Sequence, residues 1–267
     1  MKKVTLLLLA VLLMAVPSFA EKMQTVVGQG RYVSHTLSKL PAFNAVEVRG
    51  DAEVDFMQHA NASVTVSGRE NLVDLSDVRV ENGVLVVGFK RPVHIRGEHH
   101  LRVAVSAPEL NTVSVSQGGE FDVRGSLKTS SLSLSAVQDS EISMDYVQAD
   151  AVTLSAAGRS EVELSRVQAE RINASAADRA DVDLSGQVEE VTLVNDGSGE
   201  IDADDLRAVQ AHATTNASGK IKVYAADALY AQANARGKIE YKGYPSTVRR
   251  EGNAKKIVRD REHDYED

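Results

Sequence analysis

The sequence predicts an all-β protein built as a parallel β-solenoid with coils of about 20 residues. Three observations support this fold: charged strand-like segments recur at a fixed spacing, apolar and polar residues alternate within them, and many inward positions are small. The repeated segments are GGEFDV, DSEISM, RSEVEL, RADVDL, SGEIDA, SGKIKV and RGKIEY. Their first apolar residues are Phe121, Ile142, Val162, Val182, Ile201, Ile221 and Ile239, at intervals of 21, 20, 20, 19, 20 and 18 residues.

Each unit carries apolar residues at two points, and most units carry them at a third. Within the charged strand of one unit, Val162 and Leu164 face inward and Glu163 faces outward, which is the period of two that marks a β-strand. A second apolar pair precedes each turn: Val113/Val115, Leu132/Leu134, Val152/Leu154, Ile172/Ala174, Val191/Leu193, Ala211/Ala213 and Leu229/Ala231. Most units close on a third apolar residue: Leu127, Val147, Val167, Val188 or Leu206.

An antiparallel sandwich made of hairpins is the competing fold, because short strands and polar turns suit it too. Hairpins, however, do not require the same residue class at one phase through seven consecutive units. An aromatic content of 4% also fits the narrow interior of a solenoid. The constant phase therefore favours the solenoid.

The N-terminal part, residues 31–110, is less regular but rich in strands. Asn82-Gly83 lies between two alternating segments and predicts a hairpin. We expect this part to continue or cap the solenoid and so cover an edge open to strand addition. The predicted solenoid domain spans 41–252, with regular repeats over 111–245. A lead over 21–40 precedes the domain, and a charged tail over 253–267, in which Ile257 and Val258 can dock, follows it.

Residues 1–20 have the layout of a secretory signal peptide. Lys2 and Lys3 precede an apolar run, and the small residues Ser18 and Ala20 mark a cleavage site after Ala20. An uncleaved anchor is the alternative, although the run is short for a bilayer-spanning helix. No later segment is apolar enough to span a membrane. These features predict an exported protein, either periplasmic or extracellular at the cell surface.

Composition narrows the classes of partner. Without Lys2 and Lys3 the chain has 28 basic and 38 acidic residues, a formal charge of −10, which argues against nucleic acid or an anionic lipid surface as partner. The sequence contains no cysteine, so disulfides do not stabilise it. A protein or glycan ligand remains, of unknown identity, and the oligomeric state stays open.

Acidic residues recur at two outward positions of the predicted strands. The first column comprises Glu141, Glu161, Asp181 and Glu200, and the second, a candidate binding face, comprises Glu163, Asp183 and Asp202. Carboxylates on rungs about 4.8 Å apart repel one another. Divalent cations could offset this repulsion, as could Arg159 and Arg179. No calcium-loop motif is present, so a solvated acidic stripe without a metal or cofactor is the favoured interpretation.

Two further clusters are candidates for chemistry. His94, Glu98, His99 and His100 could form a metal set, but adjacent histidines on a strand point to opposite faces, which favours a polar loop. Glu161 and Asp181 could act as paired glycosidase carboxylates, yet every rung supplies an equivalent pair. No nucleophile elbow or catalytic cysteine is present. We therefore predict a non-catalytic protein.

The order of motifs resembles the GIN-domain family of autotransporter adhesin heads. Phe43, Val46, Val48 and Gly50 are similar to the opening Phe-x-x-Val-x-Val-x-Gly strand of that family. The segments ENLVD, VENGVLVV, VSAPELNTVSVSQGGEF and GYPSTVRREGNAKKI are similar to its later motifs. The resemblance covers about 40–258 and implies a β-solenoid with a role in adhesion.

The chain departs from that family in its turns. NDGSGEI, at 195–201, keeps the glycine-rich turn, whereas AAGRSEV and AADRADV have lost most of it. Because glycine readily adopts positive φ, these middle turns are expected to take another backbone conformation.

Three functions follow in order of preference. The first is an adhesin-like binding module at the surface, the second a periplasmic structural or envelope-stress component, and the third a polysaccharide-active β-helix enzyme.

Overall fold

The computed structural model describes residues 24–97 and 100–260, and β-strands make up most of this part of the chain. Its N-terminal part contains β1 (Gln24–Val27), β2 (Tyr32–Leu37), β3 (Ala45–Arg49), β4 (Ala52–Gln58), β5 (Ser63–Arg69), the short helix α1 (Glu70–Leu75), β6 (Ser76–Glu81), β7 (Val84–Phe89), β8 (Val93–Arg96) and β9 (Leu101–Ala107).

The regular part follows without a break. It contains β10 (Thr112–Ser116), β11 (Glu120–Lys128), β12 (Ser131–Val137), β13 (Glu141–Ala157), β14 (Glu161–Ala176), β15 (Asp181–Asn195), β16 (Glu200–Thr215), β17 (Lys220–Ala233), β18 (Lys238–Lys242), β19 (Thr247–Gly252), a 3₁₀ turn (Ala254–Lys256) and β20 (Ile257–Arg259).

Parallel pairing produces two faces that run along the whole solenoid. Sheet A contains β3, β10, β12, the second halves of β13 to β17, and β19. Sheet B contains β4, β11, the first halves of β13 to β17, β18 and β20. Bulges such as the one between Leu164 and Val167 bend the long strands from sheet B into sheet A of the next coil. The result is a parallel β-solenoid of about seven turns, so the predicted fold is confirmed and the sandwich is wrong.

The core is the stack of inward residues that the repeat defines. Val162 and Leu164 pair in register with Val182 and Leu184, and all four are buried. The apolar pairs before the turns and the residues that close the units are buried as well. Each coil therefore buries its apolar side only against its neighbours, as expected for a repeat protein.

The turns between sheets A and B correct one expectation. Each turn that has lost glycines contains a residue in the left-handed conformation, with φ of +82° at Gly158 and +58° at Asp178. In the glycine-complete turn, Gly197 and Gly199 lie outside that region, but a Cβ at Gly199 would sit 2.1 Å from the carbonyl oxygen of Ala180. Glycine is needed there because successive turns approach closely, not because φ is positive.

The N-terminal part both continues and caps the solenoid. Strand β7 lies parallel to β3, and β9 lies parallel to β4, so both extend the sheets. Antiparallel strands then finish the stack, with β5 on β9, β2 on β5, and β6 on β7. The hairpin predicted at Asn82-Gly83 joins β6 to β7, with φ of +51° and +81°.

The opposite end is closed by β19 and β20. Ile257, which is 2% exposed, pairs with Ile239, so Ile257–Arg259 adds a strand to the last coil, while Val258 stays 42% exposed. Arg250 donates a hydrogen bond to the Tyr241 hydroxyl at 2.6 Å and lies over that ring. The predicted signal peptide at 1–20, Glu98, His99 and 261–267 lie outside the described residues. In residues 24–97 and 100–260, no helix is long and apolar enough to cross a bilayer.

Candidate functional site

The first acidic column lies on the exposed side of sheet B. Glu141, Glu161 and Asp181 are in register on successive coils. Glu200 follows them, and its backbone N–H donates to Asp181 Oδ1 at 2.8 Å. Glu53 and Glu120 extend the same column toward the N-terminal end.

A second column runs beside the first, two residues further along each strand. It contains Asp55, Asp122, Ser143, Glu163, Asp183, Asp202, Lys222 and Glu240. The predicted binding face of Glu163, Asp183 and Asp202 is thus one continuous surface, beside a shallow depression of about 270 Å³. The acidic residues of the two columns together form what we call the acidic stripe.

Basic residues neutralise the two ends of the acidic stripe. At the N-terminal end, Arg102 lies 2.7 Å from Glu53 and Arg124 lies 2.8 Å from Asp55. At the C-terminal end, Lys222 Nζ lies 2.9 Å from Glu200 Oε1 and 2.6 Å from Asp202 Oδ2. Lys220 and Lys242 add further ion pairs there.

The middle of the stripe lacks such partners. Within the described chain, no ion pair involves Glu141, Glu161, Glu163, Asp181 or Asp183. Burial raises the pKa of Glu141, and the neighbouring carboxylates of Glu120 and Glu161 raise it further. Burial, followed by Asp202, likewise raises the pKa of Asp183. The stacked carboxylates therefore repel one another in the folded state.

Neither candidate metal site gains support. In the part of the chain that the structure covers, no group of three or more His, Asp or Glu side chains is arranged to hold a metal ion. His94 Nδ1 lies 3.1 Å from Asp51, while His100 Nδ1 lies 3.6 Å from Glu53. These two histidines therefore contact different carboxylates, and Glu98 and His99 lie outside the described residues.

The exposed side of sheet A carries small polar residues. One column contains Thr112, Ser133, Thr153, Asn173, Thr192, His212, Tyr230 and Arg249. The rings of His212 and Tyr230 stack with their centroids 4.7 Å apart. Because these rings stack on each other along the solenoid, they stabilise neighbouring coils.

A cleft of about 1320 Å³ lies at the corner between the two sheets, near the N-terminal end. One wall is formed by the β6–β7 hairpin and the link from Lys90 to His94, which we together call the arm. The other wall is a ridge of stacked turns, whose lining residues are Arg49–Asp51, Gln117, Gly118, Gln138, Asp139, Gly158, Arg159, Asp178, Arg179 and Ser198. The cleft therefore joins parts of the chain that are far apart in sequence.

Asp51 holds the arm against the ridge. Its Oδ2 accepts a hydrogen bond from the backbone N–H of Ile95 at 2.6 Å, and His94 lies beside the same oxygen. Its Oδ1 faces Gly118, and a Cβ added at Gly118 would lie 2.7 Å from this oxygen. Behind the arm, Val93 and Ile95 pack with Val26 and Leu72 in a small apolar cluster of their own. The Val93 end of the arm thus depends on local contacts, whereas Leu85 and Val87 of β7 belong to the main core.

Most charges in the cleft are internally paired. Arg159 binds Asp139 through two hydrogen bonds of 2.5 and 2.8 Å, and the hydrogen bond from Arg159 lowers the pKa of Asp139. Arg79 pairs with Asp77 and Glu81. Arg49 Nε lies 2.6 Å from Glu47. Asp178 accepts a hydrogen bond from the backbone N–H of Gly158.

Three cations of the cleft form no ion pair with a carboxylate in the described chain: Lys90, Arg91 and Arg179. Lys90 Nζ donates to the backbone carbonyl of Asp74 at 2.7 Å. Arg91 is exposed on the arm, and Arg179 is exposed on the ridge. The apolar surfaces of Phe89, Pro92 and Val93 line the same space.

The cleft also corrects the role expected for two arginines. Arg159 and Arg179 were one of two options for offsetting the acidic columns, but both belong to the turn ridge and line the cleft. Arg159 binds Asp139, not a stripe carboxylate, and Arg179 contributes to the lowered pKa of Asp139. The sequence analysis named the Asn82-Gly83 hairpin and His94 of the arm but missed Lys90 and Arg91, although FKRPVHIR, a basic cluster in an acidic chain, marks them.

Comparison with protein families identifies the class to which this solenoid belongs. Residues 42–245 match the family described as "Putative auto-transporter adhesin, head GIN domain". The match covers most of the chain, and the chain belongs to this family. The resemblance proposed from the Phe43 strand and the later motifs is therefore confirmed.

Solved structures share the fold at low sequence identity. A "Putative lipid binding protein" from Parabacteroides distasonis superposes with a TM-score of 0.81 at 22% identity, covering 89% of this chain and 100% of that one. A "putative adhesin" from Parabacteroides merdae gives 0.78 at 20% identity, over 89% and 100% of the two chains. One from Bacteroides fragilis gives 0.67 at 19% identity, over 88% and 99%. No curated protein matches the chain.

Proposed function

We propose that this protein is an exported, non-catalytic binding module of the adhesin type, and that its ligand is a protein or a glycan. Membership of a family described as adhesin heads supports this function. The cleft between the arm and the turn ridge is the single structural observation that carries it. A pure scaffold needs no concave surface with outward-facing charges.

We propose that the protein is not a catalyst because no pair of its carboxylates is distinguished from the others. The cleft residues Asp51, Asp139 and Asp178 are all engaged in hydrogen bonds that hold the arm or the turns. In the acidic stripe, the same pair of carboxylates recurs from coil to coil. A catalytic pair needs two groups whose environments push their pKa values apart, and neither surface favours one pair over the others.

The location of the protein on the producing cell tests the proposed function. We expect the mature chain to be digested by protease added to intact cells, or to be recovered from the culture medium. Protection on intact cells, with release by osmotic shock, would contradict the adhesin role and favour a periplasmic structural component. A periplasmic marker protein measured in the same fractions serves as the control for leakage.

Adhesion itself is measured with purified protein. We expect the folded chain to bind to surfaces of neighbouring or host cells in a saturable manner, and excess soluble protein should compete with it. If saturable binding persists when the arm is displaced from the ridge, the ligand site lies outside the cleft.

A further inference from the structure

We infer that the cleft between the arm and the turn ridge binds an anionic glycan, and that Arg91 and Arg179 contact its carboxylate groups from opposite walls. This inference rests on the proposed function and names the ligand class of the same site. It follows from the charge balance, the lining and the surroundings of the cleft.

The charge balance shows which groups are available to a ligand. The other charged side chains that line the cleft have partners, in ion pairs or in hydrogen bonds to the backbone. Arg91 and Arg179 form no ion pair with a carboxylate among residues 24–97 and 100–260, although Arg179 acts on Asp139 at longer range, and both arginines are exposed. A guanidinium presents a planar fork of donors that matches a carboxylate in a bidentate pair. These two arginines can therefore bind acidic groups without first breaking an internal ion pair.

The rest of the lining suits a sugar. The amides of Gln117 and Gln138 lie on adjacent turns of the ridge and offer both donors and acceptors to hydroxyl groups. Phe89 and Pro92 give the arm an apolar surface against which the apolar face of a sugar ring can pack. Ligand sites commonly combine apolar walls with a few polar groups placed in this way.

The same lining disfavours an extended acidic peptide. Such peptides usually add to a free strand edge, where backbone hydrogen bonds supply the affinity. In the arm, β7 has no free edge because it lies between β3 and β6, whereas β6 and β8 each pair on one side only. The opposite wall consists of turns whose backbone groups already bond from coil to coil, as from Arg179 N–H to the Gly158 carbonyl at 2.8 Å. The ridge, which carries Arg179, therefore offers side chains rather than a backbone ladder, and the comparison with polyglutamate tests strand addition at the arm.

The acidic stripe limits where on the surface an anionic ligand can lie. Each ridge turn is followed within two residues by a stripe carboxylate, as Arg159 is by Glu161. An anionic chain is therefore repelled if it crosses from the ridge onto sheet B. Because this repulsion is screened over about 8 Å at physiological salt, a ligand held between the arm and the ridge is tolerated. Neutralising Glu161 should consequently strengthen binding, most clearly at low salt.

The test is a titration of the purified mature chain with oligogalacturonate, which carries carboxylates, and with dextran sulfate, neutral dextran and polyglutamate for comparison. We expect oligogalacturonate to bind more tightly than neutral dextran and polyglutamate, and its affinity to fall as salt is added. Dextran sulfate binding equally well, through the same arginines, would extend the ligand to anionic glycans in general. A charge-assisted hydrogen bond that is lost costs about tenfold in affinity, so Arg91→Gln and Arg179→Gln should each weaken binding by about that factor.

Arg236→Gln is the matched control. Arg236 occupies the same turn position as Arg179, is also exposed, and lies outside the cleft. The Arg236→Gln variant should bind oligogalacturonate as tightly as the unchanged chain does. Circular dichroism and thermal melting confirm that each variant is folded, and Arg91→Gln, in an exposed link, keeps the test usable if Arg179→Gln does not fold.

Four outcomes would overturn the inference: no binding of any anionic glycan, unchanged binding by both cleft variants, an equal loss in Arg236→Gln, or equal binding of polyglutamate through the same two arginines. None of these outcomes would remove the proposed adhesin function if the protein still binds cells and is exposed on them. The two conclusions therefore fail separately.

Discussion

The regular coils and the N-terminal arm are stabilised in different ways. In the coils, a residue such as Val162 is buried between equivalent residues of the neighbouring coils, Ile142 and Val182. In the arm, Val93 packs into a separate cluster that contains only Val26, Leu72 and Ile95 as further buried members among the described residues. The coils are thus a continuous core that also takes in Leu85 and Val87 of β7, while the Val93 end of the arm is a local attachment. The cleft lies between this attachment and the turns of the coils.

A charge placed inside a coil should have the largest effect on stability. Val162→Asp puts an unpaired carboxylate into the core, where Val162 is 0% exposed, and should lower the free energy of unfolding by roughly 3–5 kcal/mol. Chemical denaturation followed by circular dichroism measures this loss. Glu163→Gln, on the exposed side of the same strand, is the control and should change little. Equal stability of the two variants would contradict the register of the solenoid.

A methyl group added at a turn should have an intermediate effect. In Gly199→Ala, the new Cβ would lie 2.1 Å from the Ala180 carbonyl oxygen, so successive turns must move apart, at a cost of about 1–3 kcal/mol. The melting temperature of Ser218→Ala, an exposed position in the next turn, provides the comparison. If Gly199→Ala melts like Ser218→Ala, close packing of the turns is not why glycine occurs there.

The same kind of change in the arm should act locally. Val93→Asp breaks up the small cluster behind the arm but leaves the stacked core intact. We expect amide protection to fall in β1 and β8, protection in β13 to β15 to persist, and glycan binding to weaken. Hydrogen exchange with mass spectrometry separates these regions. Loss of protection throughout the coils would show that arm and solenoid form one cooperative unit.

Proton uptake by the acidic stripe should have the smallest effect. The folded-state pKa values of Glu120, Asp122, Glu141 and Asp183 are raised, primarily by burial. The folded state thus binds more protons than the unfolded state, and these groups favour folding as the pH falls from neutral through their raised pKa values. That contribution is complete below their unfolded pKa values and is lost as the pH rises.

Glu141→Gln tests this titration. Glu141 lies in the middle of the stripe, so the variant should be slightly more stable at neutral pH and should gain less than the unchanged chain on mild acidification. Melting temperatures measured between neutral pH and pH about 5 show the difference, with Glu109→Gln, exposed and outside the stripe, as the control. An opposing effect comes from Asp139, whose pKa is lowered by the hydrogen bond from Arg159 and which loses stability in stronger acid. A slope unchanged by Glu141→Gln would contradict the repulsion in the stripe.

The sequence predicts the repeating features well because each pattern recurs in many units. Period two within the strands and a spacing near 20 between them determine which residues are buried and which carboxylates align, as for Glu161 and Asp181. The Asn82-Gly83 hairpin was predictable because local turn chemistry alone determines it. The conformation of the eroded turns was not, because stacking against neighbouring turns overrides the preference of each residue.

The cleft was not predictable from the same signals. Arg91 and Arg179 belong to different segments, and only the packing of the arm on the ridge places them along one cavity. No periodicity relates a residue of a single arm to residues of a repeated turn. The one signal in the sequence is composition, since Lys90, Arg91, His94 and Arg96 cluster in a chain of formal charge −8, and it was not used to predict a site.

The most direct test of the account compares the cleft with the acidic stripe in one binding assay. One variant carries Arg91→Gln and Arg179→Gln, and the other carries Glu161→Gln and Glu163→Gln. The account predicts that the cleft variant loses binding to oligogalacturonate and to cells, while the stripe variant binds as well as the unchanged chain or more tightly at low salt. Loss of binding in the stripe variant, with the cleft variant unaffected, would contradict it and place the ligand on sheet B.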